Sequence, residues 1–174
     1  SACVSSTPGD YCETDGLSWP TGECDPGWYC TLGSYLAQPT DPEGGKCLAG
    51  TYCPQGSSSP TPCDPGMYCD VDMMDSPRGP CAADYYCTIN STTDGHSGVG
   101  GDECGAGFYC EEGSWAEDPC PPGYYLPSAR AKNITYCLPC TAGKFCNASG
   151  LAQPAGYCQQ GYYCPEGQIV DDPN

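Results

Sequence analysis

The sequence predicts a small, disulfide-rich fold that is mostly irregular, with very short β-hairpins, almost no helix and an elongated tandem array of modules. The first reason is composition: the 174 residues include 18 cysteines, 24 glycines and 19 prolines. The second is that only two phenylalanines are present and aliphatic residues are sparse, so the chain cannot bury a conventional apolar core. The third is that the cysteines recur in one motif: cysteine, two residues, glycine, one residue, tyrosine, cysteine. Stability must therefore come from covalent links within repeated units.

The motif is clearest at Cys47–Cys53, and its cysteine spacing occurs seven times along the chain. Asp84 replaces the glycine in one copy, and Phe145 replaces the tyrosine in another. A stretched copy is Cys3–Cys12, and in a further copy Leu126 stands where the second cysteine should be. We number these modules one to nine in chain order; they span residues 3–12, 24–30, 47–53, 63–69, 81–87, 104–110, 120–126, 140–146 and 158–164.

Each module predicts a tight turn followed by a short extended segment. The motif glycine supplies a positive φ in the turn, because glycine adopts that region without steric cost. Asp84 can take the same left-handed region, although less readily. The aromatic residue and the second cysteine then begin a strand of two or three residues. Helices are not expected, because glycine and proline interrupt every window before a helical period can build.

The modules group into three super-repeats. From modules one, two, three and four, the second-cysteine position recurs 57 residues later, three modules on. We therefore place the super-repeats at 1–62, 63–119 and 120–174. Internal repetition at a fixed period predicts a quasi-linear array in which each unit contacts mainly its neighbours.

Two pairing schemes for the cysteines are open, because connectivity does not follow from sequence alone. In one, each second cysteine bonds the next module's first cysteine, which leaves Cys3, Cys137, Cys140 and Cys164 stranded or in irregular pairs. In the other, each module closes on itself, and Cys120 takes Cys137 as its partner. We favour this local scheme, because it uses all 18 cysteines in nine bonds: Cys3–Cys12, Cys24–Cys30, Cys47–Cys53, Cys63–Cys69, Cys81–Cys87, Cys104–Cys110, Cys120–Cys137, Cys140–Cys146 and Cys158–Cys164.

The cysteine content indicates where the chain is found. Cysteine at roughly a tenth of the residues is typical of disulfide scaffolds in an oxidising, extracellular setting. A zinc array is the rival interpretation, but Cys137–Cys140 is the only C-x2-C pair and His96 is the only histidine. Zinc sites need more such ligands at fixed spacing, so no cofactor is predicted.

The net charge of −17 limits the partners. It excludes nucleic acid and disfavours anionic membrane surfaces, and no apolar run approaches the roughly 20 residues of a membrane helix. It fits calcium or a cationic partner. Calcium needs six or more oxygen ligands from a shaped loop, and no such loop is complete, so solvated charge is the default. The acidic clusters are Asp70, Asp72 and Asp75, then Asp102 and Glu103, and finally Asp171 and Asp172.

Covalent sugar is predicted at three sequons. These are at Asn90, Asn133 and Asn147, in expected loops of a secreted scaffold. The stretch 57–62, rich in serine and proline, is a further candidate for O-linked sugar.

The motif aromatics predict packing between modules. We expect each ring to pack on a disulfide and on the next module's turn, because aromatics bury a large area in a small scaffold. The alternative is a stripe that binds glycans or a partner. The residues are Tyr11, Tyr29, Tyr52, Tyr68, Tyr86, Tyr109, Tyr125, Phe145 and Tyr163.

No arrangement of residues predicts catalysis. His96 lies in a glycine-rich loop, whereas a catalytic triad needs a rigid, partly buried setting. Glu117 and Asp118, near Trp115, resemble a glycosidase pair, but nothing in the sequence holds them at a defined separation. The chain is therefore not predicted to be an enzyme.

The modules resemble the ephrin-receptor-like cysteine-rich repeats. The stretches 104–114 and 47–62 carry the resemblance, and Cys120–Tyr125 closing at Cys137–Cys140 is similar to the longer form of that module. The modules are also akin to epidermal-growth-factor-like and tumour-necrosis-receptor-like units. The resemblance implies an extracellular, non-enzymatic, elongated protein. Such repeats occur in receptor ectodomains and in repetitive surface proteins of protists and algae, including flagellar-hair-like glycoprotein filaments.

These observations predict a structural protein whose modules stack into an extracellular filament or coat. The partner would be another copy of the chain, with the 163–174 end of one meeting the 1–12 end of the next through the faces of Tyr163 and Tyr11. The alternative is a ligand- or partner-binding segment of a receptor ectodomain.

Overall fold

The computed structural model describes residues 7–40 and 42–173. Within them, sixteen strands of two or three residues pair, each with its neighbour in the chain, into eight two-stranded sheets. One turn of 3-10 helix, Ile134–Tyr136, is the only helix of the described residues. The predicted small, disulfide-rich fold of tandem modules with almost no helix is confirmed. The strands are β1 (Asp10–Tyr11), β2 (Gly22–Glu23), β3 (Trp28–Cys30), β4 (Gly44–Lys46), β5 (Thr51–Tyr52), β6 (Thr61–Pro62), β7 (Met67–Tyr68), β8 (Gly79–Pro80), β9 (Tyr85–Cys87), β10 (Gly101–Glu103), β11 (Phe108–Tyr109), β12 (Asp118–Pro119), β13 (Tyr124–Tyr125), β14 (Leu138–Pro139), β15 (Lys144–Phe145) and β16 (Gly156–Tyr157).

Each hairpin begins in one module and ends just before the next. Its first strand follows the turn glycine, and its second strand precedes or adjoins the next module's first cysteine. In the β3–β4 pair, Tyr29 lies opposite Gly45, and Trp28 lies opposite Lys46, the residue before Cys47. In each of the eight hairpins the motif aromatic is therefore on the strand that faces the approach to the following module, whereas Tyr163 of module nine lies in no strand.

The turn of each module is a four-residue β-turn. In module two, the Trp28 amide donates to the Asp25 carbonyl at 3.0 Å, and Gly27 between them has a φ of 84°. A positive φ at the third turn position is what a type II turn requires. Asp84 takes the glycine's place in module five with a φ of 77°, as the sequence predicts.

Disulfides close the modules and occupy the place of an apolar core. Cysteines dominate the buried hydrophobic residues, and the bonded Cα atoms lie 5.8–6.3 Å apart. In module seven Leu126 is buried beside the Cys120–Cys137 bond. The ninth pair of the local scheme, Cys3–Cys12, includes Cys3, which lies outside the described residues. The structure joins Cys24–Cys30, Cys47–Cys53, Cys63–Cys69, Cys81–Cys87, Cys104–Cys110, Cys120–Cys137, Cys140–Cys146 and Cys158–Cys164.

The chain divides into two compact units. The first consists of Ser1–Gly79, Thr88–Thr93 and Gly98–Gly100, and the second of Pro80–Cys87, Asp94–Ser97 and Gly101–Asn174. The first thus holds modules one to four, and the second holds modules five to nine. The three super-repeats 1–62, 63–119 and 120–174 remain a prediction from the sequence.

Candidate assembly interface

Successive modules are joined through the backbone of the turn glycine. Between modules two and three, the Gly27 amide donates to the carbonyl of Cys53 at 2.8 Å. The Gly27 carbonyl in turn accepts from the amide of Cys47 at 2.9 Å. Both polar groups of one glycine are therefore satisfied by the two cysteines of the following module.

Two further backbone hydrogen bonds complete this junction. The Cys30 amide of module two donates to the Ser57 carbonyl at 3.0 Å, and the Gly56 amide donates to the Cys24 carbonyl at 2.9 Å. Gly56 and Ser57 lie just after the second cysteine of module three. These two residues belong to neither the cysteines nor the turn glycine of the motif, yet they take part in two of the four hydrogen bonds of the junction.

The same four bonds recur between consecutive modules from two to four and from five to nine, with N···O distances of 2.7–3.1 Å. The junction tolerates the degenerate copies because it uses only backbone atoms. Leu126, which replaces a second cysteine, accepts from the Gly107 amide at 2.8 Å and donates to the Leu151 carbonyl at 2.8 Å. A net intramolecular hydrogen bond contributes about 1 kcal/mol, so each junction is substantial without any side chain.

Each junction also uses a second residue with a left-handed backbone conformation, which the sequence analysis did not predict. It lies three or four residues after the second cysteine and donates to the preceding module's first cysteine. Glycine holds this place in several modules, and that recurrence was the available signal. In other modules it is Met73, Asn90 or Arg130, with φ values of 61°, 63° and 65°. Together with Asp84, these are all the described non-glycine residues of positive φ.

The turn glycine also contacts the module after the next. A β-carbon on Gly107 would lie under 3.0 Å from the carbonyl of Gly150, the second left-handed residue of module eight. The same close approach joins Gly27 to the Met73 carbonyl. Glycine is needed at the turn for space as well as for φ. The other pairs with this close approach are Gly9 with Gly56, Gly50 with Asn90 and Gly123 with Gly167.

In module five, where Asp84 stands in place of the turn glycine, an ion pair takes the place of this contact. Its carboxylate Oδ2 accepts from Nε and Nη2 of Arg130 at 3.2 and 3.0 Å. Arg130 is the second left-handed residue of module seven, two modules on from Asp84. The Arg130 guanidinium also lies 5.0 Å from the ring centre of Tyr85, which stacks on His96 at 4.6 Å.

The predicted aromatic residues lie across each hairpin from the approach to the next module. A β-carbon on Gly22, opposite Tyr11, would lie 3.2 Å from the tyrosine ring, and one on Gly156 would lie 3.1 Å from the ring of Phe145. Tyr11 and Phe145 therefore each cover a glycine on the neighbouring strand. Tyr163 differs from the other motif aromatics because it is 79% exposed, whereas they are half-buried.

Two of these rings face acidic residues across their hairpins. Tyr86 lies opposite Asp102, and Tyr109 lies opposite Asp118. Burial, and then these carboxylates, raise the pKa of both phenols above the ordinary value. The rings therefore stay neutral well into alkaline pH, which suits a packing role.

The three predicted glycosylation sites differ in their surroundings. Asn90 and Asn147 are exposed, and Asn133 is half-buried. The Asn133 side chain caps the 3-10 turn: its Oδ1 accepts from the Thr135 amide at 3.0 Å and from the Thr135 hydroxyl at 2.6 Å. Of the three asparagines, Asn90 is the one that is exposed and whose own backbone amide also forms part of a junction.

The first acidic cluster is engaged with cations of the chain. Lys46 Nζ donates to Asp72 at 2.6 Å, and Arg78 pairs with Asp70. The bond to Lys46, with a further one from the Ala49 amide, lowers the pKa of Asp72 below its ordinary value. In the part of the chain that the structure describes, no group of three or more His, Cys, Asp or Glu side chains is arranged to hold a metal ion.

The loop that carries His96 packs onto module five. Nδ1 of His96 lies 3.0 Å from Oδ1 of Asp94, within hydrogen-bond distance, and a β-carbon on Gly95 would lie under 3.0 Å from Tyr85. Glu117, one of the two carboxylates near Trp115, accepts from the Gly105 amide at 2.5 Å. His96 and Glu117 therefore form hydrogen bonds with neighbouring residues of the fold.

Three glycines have open space on the side where a β-carbon would stand. Nothing lies within 4 Å of a β-carbon built on Gly143 or Gly161, the turn glycines of modules eight and nine. The same holds for Gly16, which lies four residues after the second cysteine of module one and has a φ of 78°.

Comparison of the chain with known proteins gives no family. No protein-family model matches it, and no curated protein matches it. Among the described residues, no helix has the length and apolar character needed to cross a lipid bilayer.

Proposed function

We propose that this protein is a structural extracellular glycoprotein whose disulfide-linked modules stack end to end into a filament or surface coat, of the flagellar-hair type or similar. The single observation that carries the proposal is the backbone junction between modules. It recurs with the same four hydrogen bonds whatever the side chains are, so a module added from another chain can use it as well. A head-to-tail contact of this kind is heterologous and gives an open filament when its rotation does not close.

The disulfides support the extracellular part of the proposal. Structural disulfides form and persist in oxidising compartments, and here they stand where an apolar core would be. The exposed asparagines of two sequons, Asn90 and Asn147, are accessible to N-linked sugar. The resemblance to ephrin-receptor-like repeats agrees with a non-enzymatic surface role.

Secretion of the 174-residue chain from a eukaryotic host tests the proposal, since disulfides and sugars then form naturally. We expect light scattering after size exclusion to show a mass that rises with concentration, and electron microscopy to show filaments. Reduced and alkylated chain is the control and should not assemble, because the junction needs closed modules. A protein that stays monomeric at high concentration overturns the filament and favours the receptor-segment alternative.

Mass spectrometry of the same material tests the sugars. We expect Asn90, Asn133 and Asn147 to carry N-linked glycans that a glycan-releasing amidase removes by hydrolysing the side-chain amide, which converts each glycosylated asparagine to aspartate. Three unmodified asparagines would contradict the glycoprotein part of the proposal and leave the assembly test unaffected.

A further inference from the structure

Module seven carries an exposed apolar surface in a part of the chain that has no acidic residue. Residues 119–165 contain none of the 22 aspartates and glutamates, although the chain as a whole has a net charge of −17. Three neighbouring apolar side chains in this stretch, Ile134, Tyr136 and Leu138, are 44–49% exposed. Clustered exposed apolar side chains indicate a surface that another group covers.

Part of this surface is a groove of about 550 Å³, which we call the module-seven groove. Its volume lies within the roughly 300–1,000 Å³ typical of small-molecule sites, which combine an apolar lining with a few polar groups. The groove has this composition, because apolar side chains form most of its lining and two hydroxyl groups complete it. The lining residues are Leu126, Pro127, Ser128, Thr135, Tyr136 and Leu138.

The groove is open although the modules after it are in place. Modules eight and nine follow module seven in the chain, and a β-carbon on the turn glycine Gly123 would already lie 2.7 Å from the Gly167 carbonyl. The junction that module seven forms with the modules beyond it is therefore occupied. The occupant of the groove must be something other than the next module.

The sequon asparagine Asn133 is held at the edge of the groove. Its Oδ1 accepts from the amide and the hydroxyl of Thr135, which itself lines the groove. These bonds engage the carboxamide oxygen and not Nδ2, the atom to which an N-linked sugar is attached. Within the described residues, no hydrogen bond holds the side chains of Asn90 and Asn147 in this way. The direction in which a sugar leaves the chain is therefore fixed at Asn133.

We infer that the N-linked sugar of Asn133 lies in the module-seven groove and packs on the ring of Tyr136. A pyranose presents a face of C–H groups, and such a face packs on the electron-rich face of an aromatic ring. The held carboxamide and the covalent attachment both reduce the entropy that the sugar loses on docking. The inference rests on the proposed function, because it requires a glycoprotein, and it gives this sugar a structural role.

The variant Asn133→Asp tests the inference, because it removes the sugar and keeps the cap. An aspartate oxygen can accept from the same two groups of Thr135. The matched control is Asn147→Asp, which removes a sugar and adds the same charge at a residue that does not line the groove. Both variants and the natural chain are secreted from a eukaryotic host. Hydroxyl-radical labelling with mass spectrometry then measures the exposure of Tyr136, with Tyr157, 77% exposed, as the internal reference.

We expect Tyr136 to be labelled about half as fast in the natural chain as in Asn133→Asp, because a packed sugar covers one of the two faces of the ring. Labelling in Asn147→Asp should equal that of the natural chain. Equal labelling of Tyr136 in the natural chain and Asn133→Asp, with sugar present on Asn133, overturns the inference and leaves the glycoprotein proposal standing. An unmodified Asn133 in the natural chain overturns the inference and contradicts that proposal at this site.

The same labelling distinguishes a second copy of the chain as the occupant. If Tyr136 in Asn133→Asp becomes protected as the chain concentration rises, another copy covers the groove, and the sugar is not its occupant. Protection that follows the sugar at every concentration supports the inference.

Release of the sugars from folded chains with the amidase is a second measurement. The fluorescence of a dye that binds apolar surface should rise on release in the natural chain and in Asn147→Asp, because the groove is then uncovered. It should stay unchanged in Asn133→Asp, which has no sugar there to lose. An equal rise in all three chains would contradict the inference.

Discussion

At the scale of single residues, two positions in each module require a left-handed backbone, and most modules place glycine at both. Asp84 and Arg130 show how the chain departs from this rule. They occupy the two positions that otherwise bring a glycine and a carbonyl into contact, and they form an ion pair there. The Asp84 side chain is 11% exposed and that of Arg130 is 48% exposed, so solvent screens the pair only in part.

A double-mutant cycle tests whether these two departures depend on each other. Arg130→Gly leaves a largely buried carboxylate without its partner and should destabilise the chain by about 1–3 kcal/mol. The double variant Asp84→Gly with Arg130→Gly restores the arrangement of the other modules, so we expect it to recover most of that loss. Urea unfolding of the four chains measures the coupling free energy. Strictly additive effects would mean that the two residues act independently.

At the scale of elements, the sequence predicted the module well and its junction poorly. Tight turns with a left-handed third residue, short strands and near-absence of helix follow from the local chemistry of glycine, proline and cysteine. The second left-handed position was missed because Met73, Asn90 and Arg130 obscure its glycine pattern. The contact between a turn glycine and the module two places further on could not be predicted, because it depends on the path of the chain between modules. The packing of the aromatic rings between modules remains a prediction, and Tyr11 and Phe145 cover glycines on the opposite strand of their own hairpins.

Most turn glycines contact the module two places further along the chain, so replacing different turn glycines should not cost the same stability. Gly107→Ala and Gly143→Ala both impose left-handed strain of about 1–2 kcal/mol. Only Gly107→Ala also drives a β-carbon into a backbone carbonyl, so it should lose about 1–3 kcal/mol more. Denaturant unfolding of the two variants, in dilute solution where neither assembles, gives the difference. Equal losses of stability would show that the positive φ alone explains why glycine recurs at the turn position in this chain.

At the scale of the whole molecule, charge opposes the end-to-end assembly that we propose. Each chain carries a net charge of −17, and the cations that the structure shows in ion pairs, such as Lys46, Arg78 and Arg130, are satisfied within the chain. Copies that approach end to end therefore repel each other. The junction offers no charge pairs in return, because all four of its bonds join backbone atoms.

Added salt should therefore promote assembly. The screening length falls from about 30 Å at 0.01 M salt to about 10 Å at 0.1 M, which weakens repulsion between copies and leaves short backbone hydrogen bonds intact. Light scattering across a sodium chloride series should show the concentration needed for assembly falling as salt rises. Calcium at matched ionic strength is the control: an effect equal to that of sodium chloride indicates screening, and a much larger one indicates bound calcium at the acidic clusters. Assembly that dissolves as salt rises would mean that opposite charges hold the copies together, and the backbone junction would then not be the contact.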